Sequence, residues 1–293
     1  MNLNEKSMVF TKQVKAIYIE ISESCNRKCI FCPNHDEARY STSAGKQVDK
    51  IIYSRLCEEL GKIGYKGTLG FHLYNEPLIN YDHFKNCLKT SRKLIPSAKL
   101  VLNTNGDFLN SERLREIFAL GLSSMHVSLY APRDGAEFSL EIAQTTITNM
   151  ARKLDLELKQ DLIKKSKDRV SFGASIAAGQ IVNLVMENFN QQGVGYSSRM
   201  EDSSESLAGW QRKNSCSSPL EQILIDINGN YLPCCNIHTS HKAYGLLKLG
   251  NIYGDQSIVE TYFNRNYEFW RKACSFSPPL FEICQKCSRG DQK

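Results

Sequence analysis

The chain has 293 residues, 41% of them hydrophobic, a formal net charge of +6 and 11 cysteines, which suits one large domain, or a domain with an appendage, able to bury a sizeable core. No apolar window reaches bilayer-crossing length, which argues against a membrane partner, and no dense Lys/Arg block with interleaved aromatics supports a nucleic-acid partner. The opening MNLNEKSMVF carries neither an apolar h-region nor a cleavage site, so a cytoplasmic location with free thiols is expected rather than a disulfide framework.

Strand-like runs fall at 16–21 (AIYIEI), 68–74 (TLGFHLY), 99–104 (KLVLNT), 124–130 (SMHVSLY), 169–176 (RVSFGASI) and 194–200 (VGYSSRM). Between them, amphipathic spacing predicts helices near 47–62, 81–94, 111–120, 137–166 and 180–191, with Asp49, Asn80 and Asn110 as N-terminal caps. Such alternation implies βαβ units and a parallel sheet, an α/β fold in which ligands gather at the C-terminal ends of the strands. Near residue 200 the composition shifts, and the Ser-rich, charged stretch that follows reads as a linker or lid over 201–215. Beyond it, EQILIDINGNYLPCC reads as two short strands around Asn228-Gly229, and IVETYFNRNYEFWRKAC as a helix.

Cys25, Cys29 and Cys32 follow the first strand in a Cys-x3-Cys-x2-Cys run. Three thiolates hold three corners of a cubic iron–sulfur cluster and leave the fourth iron open to a small ligand, and an open metal position marks catalytic rather than structural sites. Zinc is the alternative, but its sites favour paired Cys-x2-Cys knuckles supplying four ligands. After the second strand comes Tyr74-Asn75-Glu76-Pro77, in which Glu76 is an acceptor for an ammonium group, Pro77 stiffens the turn, and Asn75 tolerates a left-handed backbone. A plain surface turn is the other reading. Near the C-terminus, Cys216, Cys234 and the pair Cys284 and Cys287 bring four thiolates from three segments, enough to enclose a whole cluster or a zinc ion.

The run Cys25-Asn-Arg-Lys-Cys29-Ile-Phe31-Cys32 resembles the signature of the radical S-adenosylmethionine (radical SAM) superfamily, and Cys216-x12-Gly229-x4-Cys234 with Cys284 and Cys287 resembles the SPASM extension in its shortened, twitch form. The resemblance implies a partial (β/α)6 barrel over 1–200 and a small hairpin-plus-helix unit over 216–293. It implies S-adenosylmethionine bound at a three-cysteine [4Fe-4S] cluster, cleaved to a 5′-deoxyadenosyl radical, and an auxiliary [4Fe-4S] cluster on the four later cysteines. Phe31, Asn75, Glu76, Pro77 and Ser128 would contact that cofactor.

Within the family the cysteine spacing is most similar to dehydrogenases that oxidise an amino-cyclitol alcohol. There Arg199 would polarise the substrate hydroxyl, the auxiliary cluster would accept an electron, and a flavodoxin or ferredoxin would supply the reductant. Cys235 points elsewhere: as a hydrogen-atom donor it would make the enzyme an epimerase, whereas as buried packing it would have no chemistry. Cys274 is a weaker donor, and Cys57 and Cys87 are expected in the core. The substrate is expected to be a small polar sugar or cyclitol; a ribosomal peptide and a zinc-stabilised binding module are the competing readings.

Overall fold

The computed structural model describes residues 1–29, 32, 41–43, 45–130, 138–188, 211–237, 244–285 and 287. Helix α1 (Leu3–Gln13), unanticipated by the sequence reading, opens on an Asn2–Glu5 capping box and buries Phe10 alone. Strands β1 (Ala16–Ile19), β2 (Thr68–Gly70), β3 (Lys99–Thr104) and β4 (Ser124–Leu129) alternate with helices α2 (Lys50–Lys62), α3 (Tyr81–Leu94) and α4 (Ser111–Ala119). Asp49, Asn80 and Asn110 cap those helices as expected, each side chain accepting from a first-turn amide.

Helix α5 (Leu140–Lys153) is shorter than the 137–166 expected. It ends where Asp155 turns left-handed at φ 56°, with the Leu156 amide bonded to the Ala151 carbonyl and the Asp155 amide to the Arg152 carbonyl. That is a Schellman ending with Asp in the place usually taken by Gly. Strands β5 (Ile163–Ser166), β6 (Arg169–Ala177) and β7 (Gln180–Glu187) follow as an antiparallel meander. The helix expected at 180–191 is therefore a strand over 180–187. Gly179, at φ 76°, turns the chain back, and Val182, Leu184 and Met186 then alternate onto the core face; a short apolar run fits either period until pairing chooses.

After α6 (Ser218–Glu221), strands β8 (Gln222–Ile225) and β9 (Tyr231–Leu232) form the hairpin anticipated around Asn228-Gly229, followed by α7 (Ile258–Tyr262), α8 (Arg265–Cys274) and α9 (Glu282–Gln285). One sheet runs in the order β5-β6-β7-β4-β3-β2-β1-β8-β9. From β7 to β8 every adjacent pair is parallel. The fifth parallel strand is thus β7 rather than 169–176, and β8 joins the other edge against β1; the strand expected at 194–200 lies outside the described residues. Among the described residues no helix is long and apolar enough to cross a membrane.

Alternation divides the sheet. Ile17, Ile19, Leu69, Leu100, Leu102 and Val127 are fully buried on the face covered by helices. The opposite face carries Tyr18, His72, Asn103, His126, Ser128 and Asn183, with Asn103, His126 and Asn183 in register across β3, β4 and β7. This polar face leads up to the strand ends where the cysteine triplet lies.

Candidate functional site

The triplet leaves β1 directly. Cys25, Cys29 and Cys32 are half-buried, and a tight turn between the last two is closed by the Cys32 amide on the Cys29 carbonyl at 2.9 Å. Burial, with the Cys32 and Cys25 sulfurs beside it, pushes the Cys29 thiol up to about 12. Three clustered thiols that resist ionising together are a donor set suited to a cationic partner, since a bound metal deprotonates coordinating thiols outright.

The loop is fastened to the end of β3. Asp107 accepts from Asn26 Nδ2 at 2.6 Å and from Arg27 Nε at 2.8 Å, and Asn105 Nδ2 donates to Asn26 Oδ1 at 2.7 Å. Gly106 makes this turn possible: it sits at φ 77°, and a Cβ there would lie 2.7 Å from Val127 Cγ1. On the other side, the Arg27 guanidinium lies 5.1 Å from the Tyr130 ring centroid. Burial, with Cys29 and Cys32 nearby, raises the Tyr130 phenol above its ordinary value. Ser128 lies two residues before it, in β4 on the polar face.

Glu76 is 2% exposed. Its carboxylate accepts from Thr104 Oγ1 at 2.7 Å, the Asn105 amide at 2.7 Å and the Leu78 amide at 3.1 Å. Desolvation nonetheless outweighs these donors and raises its pKa to about 7. Pro77 starts the 3-10 turn Pro77–Asn80. Asn75, which would tolerate a left-handed backbone, does not adopt one: Asp155 is the non-glycine with positive φ among the described residues. Its side chain instead spans loops, accepting from the Leu73 amide at 3.1 Å and donating to Ser22 Oγ at 3.1 Å. Phe31 and Arg199 lie outside the described residues.

Further down the polar face, His72 Nδ1 accepts from the Asn103 amide at 3.0 Å, which puts the ring proton on Nε2. Burial, with His126 nearby, holds this imidazole neutral, lowered to about 3. His126, Asn183, Ser171, Arg169 and Lys164 line an open groove of about 630 Å³. Most of its lining comes from the antiparallel pair β5 and β6, with His126 and Asn183 contributed from the middle of β4 and β7. The sequence reading passed over both histidines, although the period-2 spacing from Ser128 already set His126 on its face.

The four later cysteines come together. Cys216, Cys234, Cys284 and Cys287 line one cavity with Arg212, Asn236, Trp270 and Cys274. Burial, with Cys284, Cys287 and Cys216 as neighbours, raises the Cys234 thiol to about 12. The all-sulfur donor set fits a thiolate-ligated cluster, and the triplet fits one with an open position. Among the described residues no three ligating side chains converge on the single point a mononuclear ion needs; in a four-iron cube each thiolate binds a different iron. Cys235 is 5% exposed and belongs to the core, and Cys57 and Cys87 are buried as expected.

Tyr74 connects the two regions. Its buried hydroxyl reaches the carbonyl oxygens of Cys235 and, at 2.8 Å, Ile237, so the loop carrying Glu76 touches the hairpin carrying Cys234. No feature of the sequence marked that link, nor the 4%-exposed Arg212 in the stretch read as a linker.

Residues 19–173 match the family model of the radical SAM superfamily, and residues 216–288 match that of SPASM, an iron-sulfur cluster-binding domain. A curated relative from Niallia circulans, S-adenosyl-L-methionine-dependent 2-deoxy-scyllo-inosamine dehydrogenase, is 26% identical over 281 residues, covering 94% of each chain. Among solved structures, BtrN in complex with AdoMet and 2-DOIA aligns with a TM-score of 0.65 at 22% identity over 94% of each chain. Native anSMEcpe with bound AdoMet aligns with a TM-score of 0.51 at 12% identity, covering 88% of this chain and 83% of its own. Both likenesses are of fold. The chain belongs to the radical SAM superfamily, with S-adenosylmethionine and two [4Fe-4S] clusters as its cofactors.

Proposed function

We propose that this enzyme oxidises an alcohol carbon of a small polar molecule, a sugar or amino-cyclitol, with the auxiliary cluster taking an electron from the substrate. The observation that carries this reading is the gathering of Cys216, Cys234, Cys284 and Cys287 around one cavity, joined through Tyr74 to the loop of Glu76. A cluster with four protein thiolates has no open iron for substrate, so electron transfer is the chemistry left to it. The likeness to a dehydrogenase over 94% of both chains supports the same reaction class.

The cofactors, once bound, supply one-electron cleavage of S-adenosylmethionine and removal of a hydrogen atom from the carbinol carbon. In this reading Cys25, Cys29 and Cys32 hold the cluster that binds it, while Phe31, Asn75, Glu76, Pro77 and Ser128 shape its seat. Arg199 polarises the substrate hydroxyl, which gives up its proton as the carbon becomes a carbonyl. A guanidinium suits that task as a hydrogen-bond donor rather than as a base. Residues 201–215 serve as linker or lid between a barrel over 1–200 and the auxiliary unit over 216–293. A flavodoxin or ferredoxin supplies the reducing electron.

Oxidation is favoured over epimerisation because the Cys235 thiol is 5% exposed and packs in the core. Anaerobic reconstitution should load about seven to eight irons per chain; zinc with little iron would favour a binding module. Replacing Cys25, Cys29 and Cys32 together with Ala should leave the fold intact and abolish deoxyadenosine formation. Oxidation should consume one S-adenosylmethionine per turnover in wild type and Cys235→Ala alike. Solvent deuterium appearing in an unoxidised product would point to the epimerase instead, and modification of a peptide but no sugar to the peptide reading.

A further inference from the structure

Thiolate-ligated clusters span a wide range of potentials, set by hydrogen bonds to their sulfurs, by nearby charge and by solvent exposure. The auxiliary cavity concentrates such groups. Asn236, 2% exposed, directs Nδ2 at Cys287 Sγ, 2.9 Å away. Its amide is oriented by the neighbouring Cys235, whose thiol donates to Asn236 Oδ1 at 3.8 Å. Cys274, 2% exposed, lines the same cavity, and its carbonyl holds the Cys216 amide at 2.8 Å.

Arg212 supplies the charge. The guanidinium is anchored by the carbonyls of Asn214 at 2.7 Å, Ser215 at 2.9 Å and Cys287 at 3.4 Å. It lines one cavity with Cys216, Cys284 and Cys287. Burial strengthens such a field, because little water screens it.

We propose that Asn236 and Arg212 raise the reduction potential of the auxiliary cluster, the first by donating to the thiolate of Cys287 and the second by its charge, so that the cluster accepts the electron of the substrate radical. This rests on the reading that the four cysteines hold a redox cluster. An electron added to the cluster makes its sulfurs more negative, and donors and cations aimed at those sulfurs stabilise the reduced state more than the oxidised one. The substrate radical loses one electron to the cluster and its hydroxyl proton to solvent, and so becomes a carbonyl. Cys235 then acts as a positioning residue for Asn236.

The test is an anaerobic, EPR-monitored redox titration of the full chain carrying Cys25, Cys29 and Cys32 as Ala, so that the auxiliary cluster alone reports. Asn236→Leu and Arg212→Gln should each keep about four irons and weaken the cluster's electron affinity roughly tenfold, 59 mV for one electron. Unchanged potentials at full iron content would overturn the proposal. Pulsed EPR of the reduced parent in deuterated buffer gives a reading that needs no substitution at the cavity: exchangeable deuterons and an amide nitrogen coupled to the cluster are expected, and their absence would also overturn it. A parent that loads no iron at all refutes instead the assignment of a cluster to the four cysteines.

Discussion

Replacing Glu76 by Gln removes a carboxyl group that is 2% exposed, held by Thr104, Asn105 and Leu78, and raised by burial from 4.5 to about 7. Between those values the folded chain keeps a proton that the unfolded chain has released. Stability therefore falls as pH rises through this window and is level above it. From about pH 5.5 to about pH 8 the loss integrates to ~2 kcal/mol at 1.36 kcal/mol per unit. For a chain of this size that corresponds to a midpoint lower by about 5 °C. A glutamine cannot ionise, so anaerobic thermal scans of Glu76→Gln should lack this component while sharing every other pH effect. The diagnostic quantity is the wild-type midpoint minus that of the variant, measured at both pH values. If that difference does not change with pH, Glu76 ionises normally and the buried-carboxyl reasoning is wrong.

Tyr74→Phe leaves the buried carbonyls of Cys235 and Ile237 without their shared donor; a cost of about 1–3 kcal/mol is expected, with faster loss of iron from the auxiliary site, read by metal analysis after mild heating. Iron retention equal to wild type would remove Tyr74 as a link between the two regions. Asp107→Asn weakens the contacts that hold Asn26 and Arg27. Because these side chains are 20% and 31% exposed for the Arg27–Asp107 pair, solvent screening limits the cost to about 1 kcal/mol. The larger expected effect is on deoxyadenosine formation, as the triplet loop loses its anchor; an unchanged rate would show that the loop is positioned by the cysteines alone.

Much of the barrel was legible because its signals are local. β1 to β4 are compact apolar or alternating runs, and Asp49, Asn80 and Asn110 stand where a side-chain oxygen caps a helix. The region after α5 was not. Residues 180–187 carry apolar side chains at both helical and strand spacing, and only the ladder to β6 on one side and β4 on the other makes them a strand. The site divides in the same way: the cysteines were recognisable by spacing, while Tyr74 and Arg212 carried no mark of the contacts they make.

The sequence by itself determined the family: seven cysteines at characteristic separations, a glutamate after the second strand, and βαβ order sufficient to place the first three cysteines and the glutamate after strands. Tertiary structure alone decided that β8 pairs with β1, that Tyr74 reaches the Cys235 carbonyl, and that Arg212 and Asn236 line one cavity with the four later cysteines. Ligand spacing and capping depend on atoms a few residues apart and so are written along the chain. Strand pairing and burial depend on which distant surfaces exclude water together, and they exist only after the chain has closed on itself.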